Sequence, residues 1–184
     1  PPSNGIGGDA FALVWDSGHL HGLNGSGRFP AAASADRLRA KGLTAVPLRG
    51  WDAVTVPGAV RAWADLHARF GRLPFADLME PAASYAEQGH PVSNVTAAAW
   101  ARAMEAHRTL NGPEFTSFAS HFAPDGRAPR TGETWRSPDM AATLREIGAT
   151  SGESFYTGRL ASAIADFAAA HDAALAASDL ASHR

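Results

Sequence analysis

The chain has 184 residues, of which 45% are hydrophobic and 18% charged, and it contains no cysteine. A chain of this length can bury about 70% of its unfolded surface, so the composition predicts a folded core. The formal net charge of −2 argues against a nucleic-acid or membrane-surface partner. The absence of cysteine excludes disulfides, thiolate zinc sites and a cysteine nucleophile. It leaves the cellular compartment undecided, because such a chain folds in either redox environment.

The first elements predicted along the chain are two strands. A glycine cluster at residues 5–8 leads into residues 11–15, Phe-Ala-Leu-Val-Trp, a short apolar run typical of a buried strand. Ser17-Gly18 then predicts a tight turn, and residues 19–23 form the second strand of a hairpin.

Beyond the hairpin the apolar spacing is mostly helical, with proline near helix starts and glycine after helix ends. No apolar run reaches the ~18 residues that a membrane-spanning helix needs. Residues 111–134, rich in Gly, Pro, Ser and Thr, predict a long surface loop. The predicted helices cover residues 31–40, 57–70, 75–88 and 92–110, followed by one starting near 138 and one around 160–168.

Two strands followed by helices indicate an α+β fold from which most of the sheet is missing. A lone hairpin is not a stable sheet, so the missing strands are expected from polypeptide outside this sequence. The start, Pro1-Pro2-Ser3, lacks an initiator methionine. We therefore interpret residues 1–184 as a single partial domain of a longer protein.

The first candidate binding feature is an arginine directly after a glycine-rich turn. Arg28 follows Asn24-Gly25-Ser26-Gly27 at the end of the second strand. Its guanidinium could hold a substrate carboxylate, assisted by the Ser26 hydroxyl and nearby backbone N–H groups. From spacing alone, a surface arginine after a turn is the more common explanation.

The other motifs are weaker indications of function. Gly5-Ile6-Gly7-Gly8-Asp9-Ala10 fits a G-x-G-x-x-A pattern, but a strand follows it, which argues against a dinucleotide site. His19 and His21 share one strand face without an evident third metal ligand, so an exposed polar face is the preferred interpretation. Helical carboxylates could form an acid–base pair, although solvated helix faces are more usual. These are Asp65, Asp77, Glu80 and Glu87.

A search for a nucleophile is negative. The turn at Ser26 has asparagine where a G-x-S-x-G elbow needs its first glycine, and the sole lysine, Lys41, excludes an S-x-x-K pair. No catalytic residue is therefore assigned within these residues.

Taken together, several segments resemble the γ-glutamyltranspeptidase family of N-terminal-nucleophile hydrolases, and they follow one another through nearly the whole chain. They are Gly5-Ile6-Gly7-Gly8-Asp9-Ala10-Phe11, Leu23-Asn24-Gly25-Ser26-Gly27-Arg28-Phe29-Pro30, Val54-Thr55-Val56-Pro57-Gly58-Ala59-Val60, Pro81-Ala82-Ala83-Ser84-Tyr85-Ala86-Glu87-Gln88-Gly89, Glu153-Ser154-Phe155-Tyr156-Thr157-Gly158 and Ser178-Asp179-Leu180-Ala181-Ser182-His183.

The resemblance implies an αββα sandwich and a precursor that cleaves itself into a large and a small subunit. The nucleophile is then a threonine at the new N-terminus of the small subunit, with its own amine as general base. The match lies in the large subunit, after the family's first helix and before the processing threonine. The expected partners are this small subunit and a γ-glutamyl amide such as glutathione, or another dicarboxylic amide, with no metal or organic cofactor. The fragment alone is expected to be inactive.

One departure bears on the substrate. The transpeptidases proper carry the carboxylate-binding arginine in an Arg-Glu-x-x-Pro pattern, and that arginine's place falls here on Ser26, with Arg28 two positions later. The Asn-Gly-Ser-Gly-Arg version resembles the transpeptidase-like branch, which includes cephalosporin (glutaryl) acylases. A γ-glutamyltransferase, a glutaryl acylase and a non-catalytic scaffold therefore remain open, with Arg28, Ser26 and Asn24 as the substrate-binding candidates.

Overall fold

The structure, a computed structural model, describes residues 5–184, and within it the chain divides into two units. The first unit comprises residues 5–78 together with Glu146–Arg184. The second unit is the intervening Met79–Arg145.

The described residues form short strands and helices in an α+β arrangement. In chain order these are β1 (Ala10–Asp16), β2 (His19–Gly25), α1 (Ala35–Ala40), a 3₁₀ turn (Trp51–Ala53), α2 (Ala59–Phe70), α3 (Phe75–Gln88), β3 (His90–Pro91), α4 (Asn94–His107), a second 3₁₀ turn (Pro113–Phe115), α5 (Thr116–Phe122), β4 (Thr134–Trp135), α6 (Pro138–Ala149), α7 (Glu153–Tyr156), α8 (Arg159–Ala170) and α9 (Ala177–Ala181).

The predicted hairpin is present. Strands β1 and β2 pair antiparallel, from Ala10 opposite Gly25 to Asp16 opposite His19. The turn residues Ser17 and Gly18 both have positive φ, as a two-residue hairpin turn with the strands' right-handed twist requires.

The prediction that the first strand is buried is wrong: one face is exposed, and the other is only half-buried. Phe11, Leu13 and Trp15 alternate along β1 and are 68%, 77% and 71% exposed, respectively. Leu20, opposite Trp15, is 61% exposed and extends the same face across β2. A two-stranded sheet can bury one face against α2 while its other face lacks a covering layer among the described residues. We call this exposed set, Phe11, Leu13, Trp15 and Leu20, the hairpin face.

Helix α2 follows the predicted pattern at both ends. It begins at Ala59, two residues after Pro57, and ends before Gly71. Ala59, Val60 and Ala62 are fully or almost fully buried, so this side of the helix forms part of the first unit's core. Other buried apolar residues of this unit are Val56, Phe75, Ile147, Phe155, Tyr156, Leu160, Ala161, Ala168, Leu175 and Leu180.

Two segments differ from their predictions. The predicted loop at 111–134 contains helix α5 and a preceding 3₁₀ turn, because an apolar set led by Phe118 and Phe122 packs beside Trp100. The helix expected from residue 31 begins only at Ala35, where the Ser34 hydroxyl accepts the N–H of Arg37 and caps it.

Ion pairs join the helices of the second unit. Arg145 donates to Glu80 at 2.9 Å and to Glu87 at 2.7 Å. Its hydrogen bonds lower the pKa of both carboxyl groups, so each stays ionised over the ordinary pH range.

Over residues 5–184, none of the helices combines the length and apolarity that crossing a membrane demands.

Candidate functional site

The end of β2 and the segment that follows it carry the predicted binding residues. Asn24, Ser26 and Arg28 are all exposed. The Asn24 side-chain oxygen accepts the N–H of Ser26 at 3.0 Å, and the Asp9 carboxylate accepts the N–H of Gly27 at 3.0 Å. Both N–H groups are thus occupied within the protein. These two backbone N–H groups therefore cannot donate to a substrate carboxylate, contrary to expectation. The Ser26 hydroxyl and the Arg28 guanidinium remain as candidate donors.

Close backbone packing fixes this segment against the chain that enters α2. A Cβ atom on Gly27 would lie 1.5 Å from the carbonyl oxygen of Val56, and one on Gly58 would lie 2.0 Å from that of Gly25. No side chain fits at either position. Val56 also donates its N–H to the carbonyl of Arg28 at 3.0 Å, so the backbone at residue 28 is held on a buried neighbour.

The Arg28 side chain is held by a neutral partner. Its guanidinium donates to the hydroxyl of Ser182, the C-cap residue directly after α9. Among residues 5–184, no carboxylate lies within ion-pair distance of Arg28. Its charge therefore remains available to an anion, in contrast with Arg61, which pairs with Glu153 at 2.9 Å.

A buried aromatic cluster supports the start of α2. The Tyr156 hydroxyl donates to the carbonyl of Pro57 at 2.8 Å and accepts the N–H of Arg61 at 2.8 Å. The Arg61 guanidinium lies 4.7 Å from the centre of the Tyr156 ring, a cation–π contact. His183 stacks on the same tyrosine with ring centres 5.6 Å apart. This cluster joins α7, α9 and α2 behind the segment that carries Arg28.

Burial shifts the pKa of two members of the cluster. It raises the pKa of Tyr156 to about 12, so the hydroxyl stays protonated and can donate to Pro57. Burial, followed by the positive charges of Arg61 and Arg28, lowers the pKa of His183. Asp9 and Asp65 act on that imidazole in the opposite direction with smaller effects. His183 is therefore neutral at pH 7.

The other sequence candidates do not form a second site. The ring of His21 contacts Arg69 at 2.7 Å and Phe70, while His19 remains exposed at the turn. In the described part of the chain, no three acidic or histidine side chains are arranged to hold a metal ion. Glu80 and Glu87 form ion pairs with Arg145 rather than an acid–base pair.

The sequence predicted Arg28 as a binding residue but gave no sign of the groups that hold its side chain. Tyr156, Asp179, Ser182 and His183 lie within segments that carried the family resemblance, yet no local spacing connects them to residue 28. Arg28 and Ser182 are 154 positions apart. Only the folded chain brings them together.

Comparison with known proteins identifies the family. The model of the γ-glutamyltranspeptidase family matches residues 1–184. The glutathione hydrolase-like YwrD proenzyme of Bacillus subtilis is 34% identical over 100% of this chain and 34% of its own length. The oxamate amidohydrolase proenzyme of Klebsiella pneumoniae is 36% identical, over 100% of this chain and 35% of its own. Among solved structures, a cephalosporin acylase from Bacillus halodurans has 47% identity and a TM-score of 0.96, over 100% of this chain and 35% of that one.

These matches define the class as N-terminal-nucleophile amidohydrolases and transferases. The chain belongs to the γ-glutamyltranspeptidase family. It spans about a third of the length of the relatives it matches. Several of these relatives are named proenzymes, a term for precursors that require processing.

Proposed function

We propose that the chain is the large-subunit portion of a γ-glutamyltransferase-like amidohydrolase that acts on γ-glutamyl amides such as glutathione. Arg28 binds the substrate carboxylate, with Ser26 and Asn24 beside it. The attacking threonine lies outside residues 1–184, at the N-terminus of the small subunit, and residues 1–184 alone are inactive. The observation that carries the proposal is the exposed Arg28 guanidinium, anchored by a neutral hydroxyl in a family of amidohydrolases.

The chemistry follows from this charge. A guanidinium presents its donors in a planar fork that matches a carboxylate. Because Arg28 has no acidic partner among the described residues, binding an anionic substrate would not first require breaking an ion pair. The N-terminal threonine would attack the amide carbonyl, form an acyl-enzyme and release an amine. Water or an amino acid would then accept the acyl group.

The hairpin face supports the assignment of a subunit partner. Phe11, Leu13, Trp15 and Leu20 expose contiguous apolar surface that a soluble protein normally covers. We propose that the small subunit of the same precursor packs on this face. The hairpin would then belong to one sheet of an αββα sandwich.

The test uses the complete, processed protein. Arg28→Ala is expected to raise KM for an anionic γ-glutamyl anilide about 30-fold, on the order of 2 kcal/mol for a lost charge pair. Arg28→Lys should recover part of this loss, since the charge returns without the fork. The matched control is Arg49→Ala, which removes an exposed arginine from a loop. An unchanged KM for Arg28→Ala would remove Arg28 from the site.

A second candidate is a glutaryl acylase. It is favoured by the 47% identity to a cephalosporin acylase and by the absence of the Arg-Glu-x-x-Pro pattern. Glutaryl and γ-glutamyl groups share the distal carboxylate and differ in the α-amino group. Comparing kcat/KM for the glutaryl and γ-glutamyl anilides therefore separates the two activities.

A non-catalytic scaffold is the remaining alternative. The parent reading frame tests it, because a threonine that begins a Thr-x-His-x-Ser type segment downstream supports an enzyme. Its absence would favour the scaffold.

A further inference from the structure

We propose that Ser182 is a positioning residue that fixes the direction of the Arg28 guanidinium, with Asp179 holding the chain just beyond it. This inference rests on the proposed role of Arg28 in carboxylate binding. On this proposal the end of α9, near the C-terminal end of the sequence, orients the guanidinium that binds the substrate.

The first support is the hydrogen-bond direction at Ser182. A serine hydroxyl has one proton to donate and lone pairs to accept with. Ser182 donates that proton to the carbonyl of Ser178 at 2.6 Å, one helical turn earlier. Its oxygen is thereby oriented as an acceptor, and the Arg28 guanidinium donates to it.

The second support is the helix geometry. Asp179 and Ser182 are three positions apart, so they project from the same side of the last helical turn. One Asp179 carboxylate oxygen accepts the N–H of Ala31 at 2.8 Å, while Ser182 accepts from Arg28. The segment 28–31 is therefore attached to α9 at both of its ends.

The third support is that both carboxylate oxygens of Asp179 accept backbone N–H groups. It is 4% exposed, and its second oxygen accepts the N–H of Ala176 at 2.9 Å. One oxygen thus joins α9 to Ala31, three residues after Arg28, and the other caps the start of α9 at Ala176. Such an anchor limits movement of the arginine relative to the helix.

A neutral partner suits this task better than an acidic one. A carboxylate at position 182 would also orient the arginine, but it would compete with the carboxylate of the substrate. A hydroxyl occupies one of the five guanidinium donors and leaves the charge uncompensated. Pre-orientation of this kind lowers the entropic cost of binding, so its loss should appear in KM.

The experiment compares three variants of the complete, processed protein. Ser182→Ala removes the acceptor, Ser182→Thr retains it, and Ser178→Ala removes an exposed hydroxyl from the same helix as the matched control. For an anionic γ-glutamyl or glutaryl anilide, Ser182→Ala is expected to raise KM about threefold to tenfold, the effect of one orienting hydrogen bond. Its kcat and its thermal midpoint should stay near wild type, because Ser182 is exposed. Ser182→Thr should restore KM, and Ser178→Ala should leave it unchanged.

The outcomes distinguish the two proposals. If Arg28→Ala raises KM while Ser182→Ala leaves it at the wild-type value, the positioning role is wrong and the role of Arg28 stands. A fall in kcat or thermal midpoint without a rise in KM would also overturn the positioning role. If Arg28→Ala leaves KM unchanged, or the wild-type protein hydrolyses neither anilide, the proposed function itself fails, and the role of Ser182 fails with it.

Discussion

Gly27 is the position in the candidate site where an added side chain would clash most severely. An added Cβ would meet the Val56 carbonyl at 1.5 Å, a distance that only a backbone shift could relieve. We expect Gly27→Ala to lower the free energy of unfolding of the complete protein by about 2–3 kcal/mol, at the upper end for overpacking. The same shift would displace Arg28 and raise KM for an anionic anilide. Urea denaturation and steady-state kinetics provide the two measurements.

The matched control for this substitution lies in the neighbouring strand. A Cβ on Gly22 would lie 3.7 Å from the Leu13 side chain, an ordinary contact. Gly22→Ala should therefore change the unfolding free energy by no more than about 0.5 kcal/mol. Equal effects of the two substitutions would contradict the packing observed at Gly27.

His183 makes stability depend on pH. Its pKa is lowered in the folded protein below the ordinary value of 6.5, chiefly by burial and then by Arg61 and Arg28. Between the folded and unfolded pKa values the unfolded chain binds more protons, so stability falls as pH falls below about 6.5. We expect the thermal midpoint to decrease from pH 7.5 to pH 5.

A substitution isolates the contribution of His183. His183→Gln should flatten the dependence of the thermal midpoint between pH 7.5 and pH 5. If the slopes of wild type and His183→Gln agree, the pH response arises from other groups.

At the scale of elements, local patterns predicted most helix ends and the hairpin. Proline, glycine and polar caps act within a few residues, so the bounds of α2 and the turn at Ser17 followed from sequence. Burial was predicted less well, because it depends on distant contacts. In α3, the large side chains of Leu78 and Tyr85 are 43% and 61% exposed, whereas Ala83 is fully buried.

The helix α5 was missed for a related reason. It has only seven residues, and isolated helices of that length are marginal without tertiary support. In the structure the Trp100 indole donates to the carbonyl of Phe122 at 2.9 Å, and the rings of both residues are in contact. Packing against α4, rather than local propensity, stabilises this segment.

The hairpin face provides a prediction about assembly. Leu13→Asp places a charge at the centre of the apolar surface that we assign to the small subunit. In the complete protein we expect the free energy of unfolding to fall by about 2 kcal/mol or more, since a buried leucine is lost and a carboxylate is desolvated. Co-purification of the two subunits after processing should decrease as well.

Leu48 provides the matched control. It is 96% exposed in a loop, and Leu48→Asp introduces the same charge outside the hairpin face. That variant should behave as wild type in denaturation and subunit co-purification. Identical behaviour of the two variants would mean that the hairpin face remains in solvent.

For the molecule as a whole, the sequence predicted Arg28 as a binding residue but not the distant contacts that hold it. Arg28 stood out because glycine-rich backbone precedes it directly. Its partner Ser182 lies 154 positions away, and the carboxylate of Asp179 reaches Ala31 across 148 positions. No periodicity or spacing rule extends over such distances, so these contacts could be obtained only from the fold.

The chain itself lacks a candidate nucleophile, and this leads to the final prediction. It has no cysteine, no G-x-S-x-G elbow and no S-x-x-K pair, and its relatives are about three times as long. We expect the purified 184-residue chain to release no aniline from γ-glutamyl or glutaryl anilides, whereas the processed complete protein releases it from at least one. The same assay with the complete protein carrying alanine in place of the processing threonine is the matched control. Turnover by the 184-residue chain alone would contradict the assignment, because a group within residues 1–184 would then have to attack the amide.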